Sequence, residues 1–327
     1  MRSLTSVVMT VLLLGSYAPA QANTCPDYDS ALNPPAFSKP AKRGFRHWGN
    51  NWLTWLYKPW HMVHDSIVAE GQSGVVVGKF DYDAVLHKDL EDENILVYIS
   101  GTSINGWQYL GRYRTNSDGK ISVNAGIRPA GEYRLRMVVE GDLSMADGYL
   151  SVVDPGRQAV LFDIDGTLTT SDFEAAADYL GIKTASTYPY AVQMVQAYKD
   201  RGYQIIYLTG APYWITRDRR QWFANIGLQD YHHRANPYGD GPVPPDTQAY
   251  KTDYINYLRN QVGLDIIRAY GNASTDIGAY AAAGLAKAET WIIGENAGND
   301  GTQAISGSYQ NHYFNVVLNT ATAAGCQ

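Results

Sequence analysis

Asp163 and Asp165 stand one residue apart at the end of the apolar run Val160-Leu161-Phe162, and Gly166-Thr167 follows them directly. Such a run reads as a buried parallel strand, and a glycine after it lets the chain turn sharply out of a sheet. Two carboxylates would then project from the carboxyl end of a strand, where open α/β sheets hold ligands. One such group can attack an electrophile while also binding a metal ion, and its neighbour can act as acid and base. The chemistry this suggests is phosphoryl transfer through an aspartyl-phosphate.

Three further segments supply what that reaction needs, in chain order. Tyr207-Leu208-Thr209-Gly210 ends an apolar run with a hydroxyl and a flexible turn, so Thr209, Gly210 and the backbone N–H groups after them can hold phosphate oxygens. Lys251 opens a helical segment, and its ammonium can neutralise a nucleophile and a phosphoryl group together. Gly271-Asn272-Ala273-Ser274-Thr275-Asp276 follows another apolar run and offers Asp276 as a metal ligand with Asn272 as a neutral auxiliary. Each element alone has a bland reading as a turn or a solvated helix start. Their shared position at strand ends and helix starts points to one site.

These segments resemble the haloacid dehalogenase-like phosphatases, and within them the lipin-type domain shared by lipins and the membrane-associated phosphatidylinositol transfer proteins. Phe162 to Thr169, Gly202 to Gly210, Ala269-Tyr270-Gly271-Asn272, Thr275-Asp276-Ile277, Tyr280, Ala283-Gly284-Leu285 and Trp291-Ile292-Ile293-Gly294 carry the resemblance, over roughly residues 159–317. It implies a three-layer, Rossmann-like parallel sheet and Mg²⁺ as cofactor. Asp163 would be nucleophile and metal ligand, Asp165 general acid/base and part of the metal site, and Thr209, Gly210 and Lys251 phosphate binders. Asp276 and Asn272 would complete the metal site. The implied substrate is phosphatidic acid or a related phospholipid. Relatives in the transfer-protein branch imply an alternative, a module that binds the lipid without hydrolysing it.

The elements around the site fit that frame. Strands are expected at Ala159–Phe162, Gln204–Leu208, Ile267–Tyr270 and Thr290–Ile293, alternating with helices near Tyr190–Asp200, Ile215–Asn225, Thr252–Gln261 and Thr275–Ala283. Neither the stretch from Thr170 to Gly202 nor that from Gly210 to Lys251 is long enough for a cap domain, which leaves the site open to a bulky or membrane-held phosphomonoester. Residues 65–154 read instead as short alternating strands with turn signals, a small β-sandwich, and Asn116-Ser117-Asp118-Gly119 as a hairpin turn. The expected organisation is a signal peptide over 1–22, an extended Trp-rich arm over 23–64, the β-sandwich over 65–154 and the phosphatase-like domain over 155–327.

The amino terminus has a positive start, an apolar run from Val7 to Leu14 and a small-residue site at Ala20-Gln21-Ala22, which reads as an export signal cleaved near Ala22. The only two cysteines, Cys25 and Cys326, are then expected to pair. A net charge of −6 argues against a nucleic-acid partner. Trp48, Trp52 and Trp55 share a helical face at i, i+4 and i+7 and are expected to pack on the neighbouring domain; peripheral membrane contact is the other reading. Arg217, Arg219 and Arg220 read as a solvated helix face or one meeting an anionic surface, and His232-His233 as exposed loop residues.

Overall fold

The computed structural model describes residues 25–83, 88–170, 186–228, 232–237 and 245–326. Its first half is built from β1 (Met62–His64), β2 (Ser66–Ala69), β3 (Ser73–Lys79), β4 (Asp81–Tyr82), β5 (Lys88–Asp89), β6 (Asn94–Gly101), β7 (Gln108–Arg114), β8 (Lys120–Ile127), β9 (Gly131–Val139) and β10 (Met145–Val153). One sheet runs β1-β3-β8 and a second runs β2-β10-β9-β6-β7. Alternation along β8 and β9 sends Ile121, Val123 and Ala125 against Leu135 and Met137, so apolar side chains of both sheets fill one core. Residues 116–119 carry the chain from β7 in one sheet to β8 in the other, not around a hairpin of paired strands. Asn116 Oδ1 fixes that turn by accepting the N–H groups of Asp118 and Lys120.

The second half is a six-stranded parallel sheet. Its strands are β11 (Gln158–Phe162), β12 (Gln204–Pro212), β13 (His232–Asn236), β14 (Asp265–Gly271), β15 (Thr290–Ile293) and β16 (Gln303–Ile305). Their order is β13-β12-β11-β14-β15-β16, and every pairing is parallel. Side chains alternate across it: Val160, Phe162, Ile205 and Tyr207 enter one apolar core, while Ala159, Leu161, Ile206 and Leu208 enter the core on the opposite face. Helices Ala191–Asp200, Thr216–Asn225, Thr247–Tyr257 and Ser274–Ala282 connect the strands. β11 sits centrally, so Asp163 and Asp165 leave the sheet from a fully flanked strand. The apolar run alone specifies a buried strand but not its neighbours, and β13 and β16 carry no run long enough to announce them.

The two halves meet along a buried seam. Ile67 and Val153 of the β-rich half contribute to the core under the parallel sheet. Asp65 accepts the His233 N–H at 3.0 Å and an Arg220 Nη2 bond at 2.6 Å, and Gln204 Nε2 donates to Glu132 at 3.1 Å. Cys25 and Cys326 are disulfide-bonded, with Cα atoms 5.2 Å apart.

Three expectations are corrected. His232-His233 are buried residues of β13, because that edge strand is covered by the β-rich half. The tryptophan face of the helix Asn50–Leu56 does not pack: Trp48, Trp52 and Trp55 are exposed, since the helix docks through Leu53 and Tyr57. Lys251 does not open its helix; it lies one turn inside Thr247–Tyr257. The residues 171–185 and 238–244, on which the reading of an absent cap partly rests, lie outside the described residues.

Candidate active site

Gly166, at φ 70°, turns the chain after β11 in a conformation that a side chain strains, and its N–H is held by the Thr169 hydroxyl at 2.9 Å. Asp163 stands just before that turn at the carboxyl end of β11, its N–H donating to the Tyr270 carbonyl of β14 at 2.9 Å. The Thr167 hydroxyl donates to Asp163 Oδ2 at 2.8 Å and lies 3.2 Å from Asn272 Oδ1. On the far side, Gly271 has no room for a side chain: a Cβ there would stand 2.7 Å from the Cβ of Asp276. The glycine therefore lets the helix start Ser274–Ala282 approach the strand end. Asp276, in that first turn, accepts the N–H groups of Asn272 and Ala273 through Oδ2 at 3.1 and 3.0 Å.

Lys251 closes the cluster. Its Nζ donates to Asp163 Oδ1 at 2.6 Å and to Asp276 Oδ1 at 2.5 Å, and all three side chains are buried. Burial alone would lower the ammonium's pKa, but the two carboxylates outweigh it and raise it. Asp163 is pushed up to about 7, first by burial and then by the nearby charges of Asp276 and Asp165 against the pull of Lys251.

Asp165 faces a different set of partners. Thr209 Oγ1 donates to its Oδ2 at 2.7 Å, and Arg219 Nη2 reaches both oxygens at 2.6 and 2.7 Å. Thr209 also accepts the Ala211 N–H at 3.0 Å, which fixes the exit of β12. A Cβ on Gly210 would fall 2.4 Å from the Thr247 side chain, so Gly210 brings β12 against the helix that bears Lys251.

Asp163, Lys251, Asp276 and Asn272 thus surround one strand end, and Asp165 with Thr209 forms an adjoining pair. Two participants had no assigned role in the sequence. Thr167 sits four residues after Asp163, a spacing that a turn makes into a contact. Arg219 is fully buried, not solvated as its polar helix suggested.

The donor chemistry suits Mg²⁺, because Asp163, Asp276 and Asn272 all present oxygen. Among the described residues no three His, Cys, Asp or Glu side chains converge as a ready metal cluster.

Residues 160–294 match the LNS2 domain of PITM 1–3, and residues 59–152 match the PITM 1–3 β-sandwich domain. The human membrane-associated phosphatidylinositol transfer protein 1 is 32% identical over 238 residues, 72% of this chain and 18% of its own length. The mouse transfer protein 3 is 30% identical over 259 residues, 77% of this chain and 25% of its own. The Drosophila melanogaster protein retinal degeneration B is 29% identical over 239 residues, covering 72% and 18%. The chain therefore spans a quarter or less of these relatives. A phosphoserine phosphatase structure aligns with 43% of this chain and 87% of its own at 15% identity, but its TM-score of 0.29 is too low to bear on the argument.

These relatives correct one expectation. The assignment to a periplasmic or secreted location does not stand, because the matching proteins are named as membrane-associated and none as exported. Residues 1–22, from which export was read, lie outside the described residues. The α/β half falls in the lipin-type LNS2 domain family, and the two matches together make the chain similar to the β-sandwich and LNS2 stretch of the membrane-associated phosphatidylinositol transfer proteins.

Proposed function

We propose that the site captures the phosphomonoester head of a phospholipid, phosphatidic acid or a close relative, with capture and not hydrolysis as its main role. The observation that carries this is the buried Lys251 ammonium held between Asp163 and Asp276 inside the stretch that matches the LNS2 domain. The names of the relatives, phosphatidylinositol transfer proteins, support a phospholipid as the ligand. In this reading Thr209, once released from Asp165, and the backbone after it take phosphate oxygens, and Lys251 takes part of their charge.

Three carboxylates already face Lys251 and Arg219, so a phosphate dianion needs another cation beside it. Mg²⁺ is that cation in this proposal, held by Asp163, Asp276 and Asn272 with Asp165 alongside; when bound it supplies charge neutralisation and polarises the phosphate.

Hydrolysis is the second reading, favoured by one observation: Asp163 and Asp165 are both present, with the Thr167 hydroxyl on Asp163. Asp163 would attack phosphorus, Asp165 would protonate the leaving alcohol, and water would release phosphate from Asp163. Against it, both Asp165 oxygens are engaged by Arg219, so proton donation requires that pair to open.

Phosphate release and binding measured together, with water-soluble short-chain phosphatidic acid and Mg²⁺, separate the two. Saturable binding without release supports capture. Release that Asp163→Asn abolishes would replace capture by hydrolysis, and absence of both binding and release would reject the site.

A further inference from the structure

Residues 31–60 hold five cations, Lys39, Lys42, Arg43, Arg46 and Lys58, and no Asp or Glu, in a chain whose net charge is −6. All five are exposed. Arg43 lies 3.7 Å from Glu140 with most of its side chain in water, and Arg46 lies 3.7 Å from Asp92 with about a third of its side chain exposed. Within this basic segment stands the helix Asn50–Leu56. Its inner residues Leu53 and Tyr57 pack on the β-sandwich core. Its outer face carries Trp48, Trp52 and Trp55, exposed by 75%, 50% and 75%, with Leu56 exposed beside them. The three indoles form a ladder, edge to face, with centroids 6.0 and 5.7 Å apart.

Three adjoining indoles left in water are a costly surface unless something covers them. Indole suits the boundary between headgroups and acyl chains, where its ring is apolar and its N–H is wet. Cations flanking an aromatic face add attraction to anionic lipid. The same chain also ties this face to the candidate site. Trp60 is buried, and its Nε1 donates to the Trp214 carbonyl at 3.0 Å. Met62 and Trp214 join it, with Ala211 and Tyr213 packed alongside, immediately after Thr209-Gly210. Trp55 and Trp60 are five positions apart in the chain, a reach of at most about 18 Å.

We infer that Trp48, Trp52 and Trp55, with Lys39, Lys42 and the neighbouring cations, form a platform that seats the protein on an anionic lipid bilayer and holds the rim of the site beside its surface. The inference rests on the reading of that site as one for a lipid phosphate, and adds the means by which a membrane-held head is presented to it. Phosphatidylserine, which has no phosphomonoester, engages the platform without filling the site, and that separates the two claims.

The test is co-sedimentation of the whole chain with phosphatidylcholine vesicles, with and without phosphatidylserine. Short-chain phosphatidic acid binding in solution is measured beside it. The wild type is expected on phosphatidylserine vesicles only, with binding that weakens as salt rises. Trp48→Ala, Trp52→Ala and Trp55→Ala together should weaken it at least about tenfold. Lys39→Glu with Lys42→Glu should weaken it by about fivefold or more for each cation lost, and this pair carries the test if the tryptophan variant does not melt cooperatively. Both variants should keep their affinity for the short-chain lipid.

Vesicle binding unchanged in the variants would overturn the platform. So would a wild type that ignores phosphatidylserine vesicles while binding the short-chain lipid, and then the site reading survives alone. Loss of self-association in the tryptophan variant, with vesicle binding intact, would assign the face to a second copy of the chain and overturn the inference.

Discussion

Arg219 holds Asp165 from a fully buried position, its Nη2 lying 2.6 and 2.7 Å from the two carboxylate oxygens. The pair joins the turn after β11 to the helix Thr216–Asn225, which follows β12. It also gives the second aspartate a partner different from that of the first. Asp163 belongs to Lys251, and Asp165 belongs to Arg219 and Thr209.

Replacing Arg219 by Leu should therefore loosen the strand end without exposing an apolar core. The Asp165 side chain is 19% exposed and can recruit water, so the expected cost is about 2–3 kcal/mol, below that of a fully buried orphan charge. Urea unfolding checks it. A change within error of zero would mean that the pair does not position Asp165.

Lys251→Met removes the ammonium that bridges the buried carboxylates of Asp163 and Asp276, and the expected loss is about 3–5 kcal/mol. Adding Asp163→Asn to that variant should recover part of the loss, because one of the opposed charges disappears. Two losses that simply add in the double variant would contradict the coupling.

Acid should weaken the seam between the halves. Burial, with Arg234 nearby, lowers His232 to about 3, and burial with Arg219 and Arg220 lowers His233 well below its ordinary value. An unfolded histidine takes its proton near 6.5. The unfolded chain thus binds more protons between about pH 3 and 6.5, and stability falls as pH drops through that window, by up to about 1.4 kcal/mol per pH unit for each histidine. Glu132, raised to about 7 mainly by burial, pulls the opposite way as pH rises from 4 to 7. Comparing wild type with His232→Gln isolates the histidine: their stability gap should shrink as pH falls from 7 to 4. A constant gap would contradict it.

The Cys25–Cys326 bond joins residues 301 apart in sequence. Reduction, or Cys326→Ser, should lower stability by about 2–4 kcal/mol. Thermal melting with and without reductant reads the effect. No shift would mean that contacts such as Ala323 N–H to the Arg201 carbonyl pin the end by themselves.

Much of this arrangement is legible from local signals. Asp163, Thr209 and Asp276 each sit where an apolar run meets a glycine turn or a helix, and strand ends of one parallel sheet converge; Lys251 carries no such signal, since it lies one turn inside its helix. What was not legible depends on distant partners. Arg219 stands among Arg217, Asp218 and Arg220, and although Trp222 and Phe223 follow it at i+3 and i+4 and are buried, the partner that lets a guanidinium join them is a carboxylate 54 residues away. His232-His233 have no alternating run of their own, so their strand is visible only once the β-rich half covers it. Periodicity put Trp48, Trp52 and Trp55 on one face but was silent on which face of that helix the sandwich would take.

The central claim is tested most directly by calorimetric titration of the whole chain, in Mg²⁺, with short-chain phosphatidic acid and with short-chain phosphatidylcholine, repeated on Lys251→Met after confirming that it is folded under the conditions used. Phosphatidic acid alone should bind saturably, and Lys251→Met should lose that binding. Equal affinity for both lipids, or phosphatidic acid binding that Lys251→Met leaves unchanged, would contradict it.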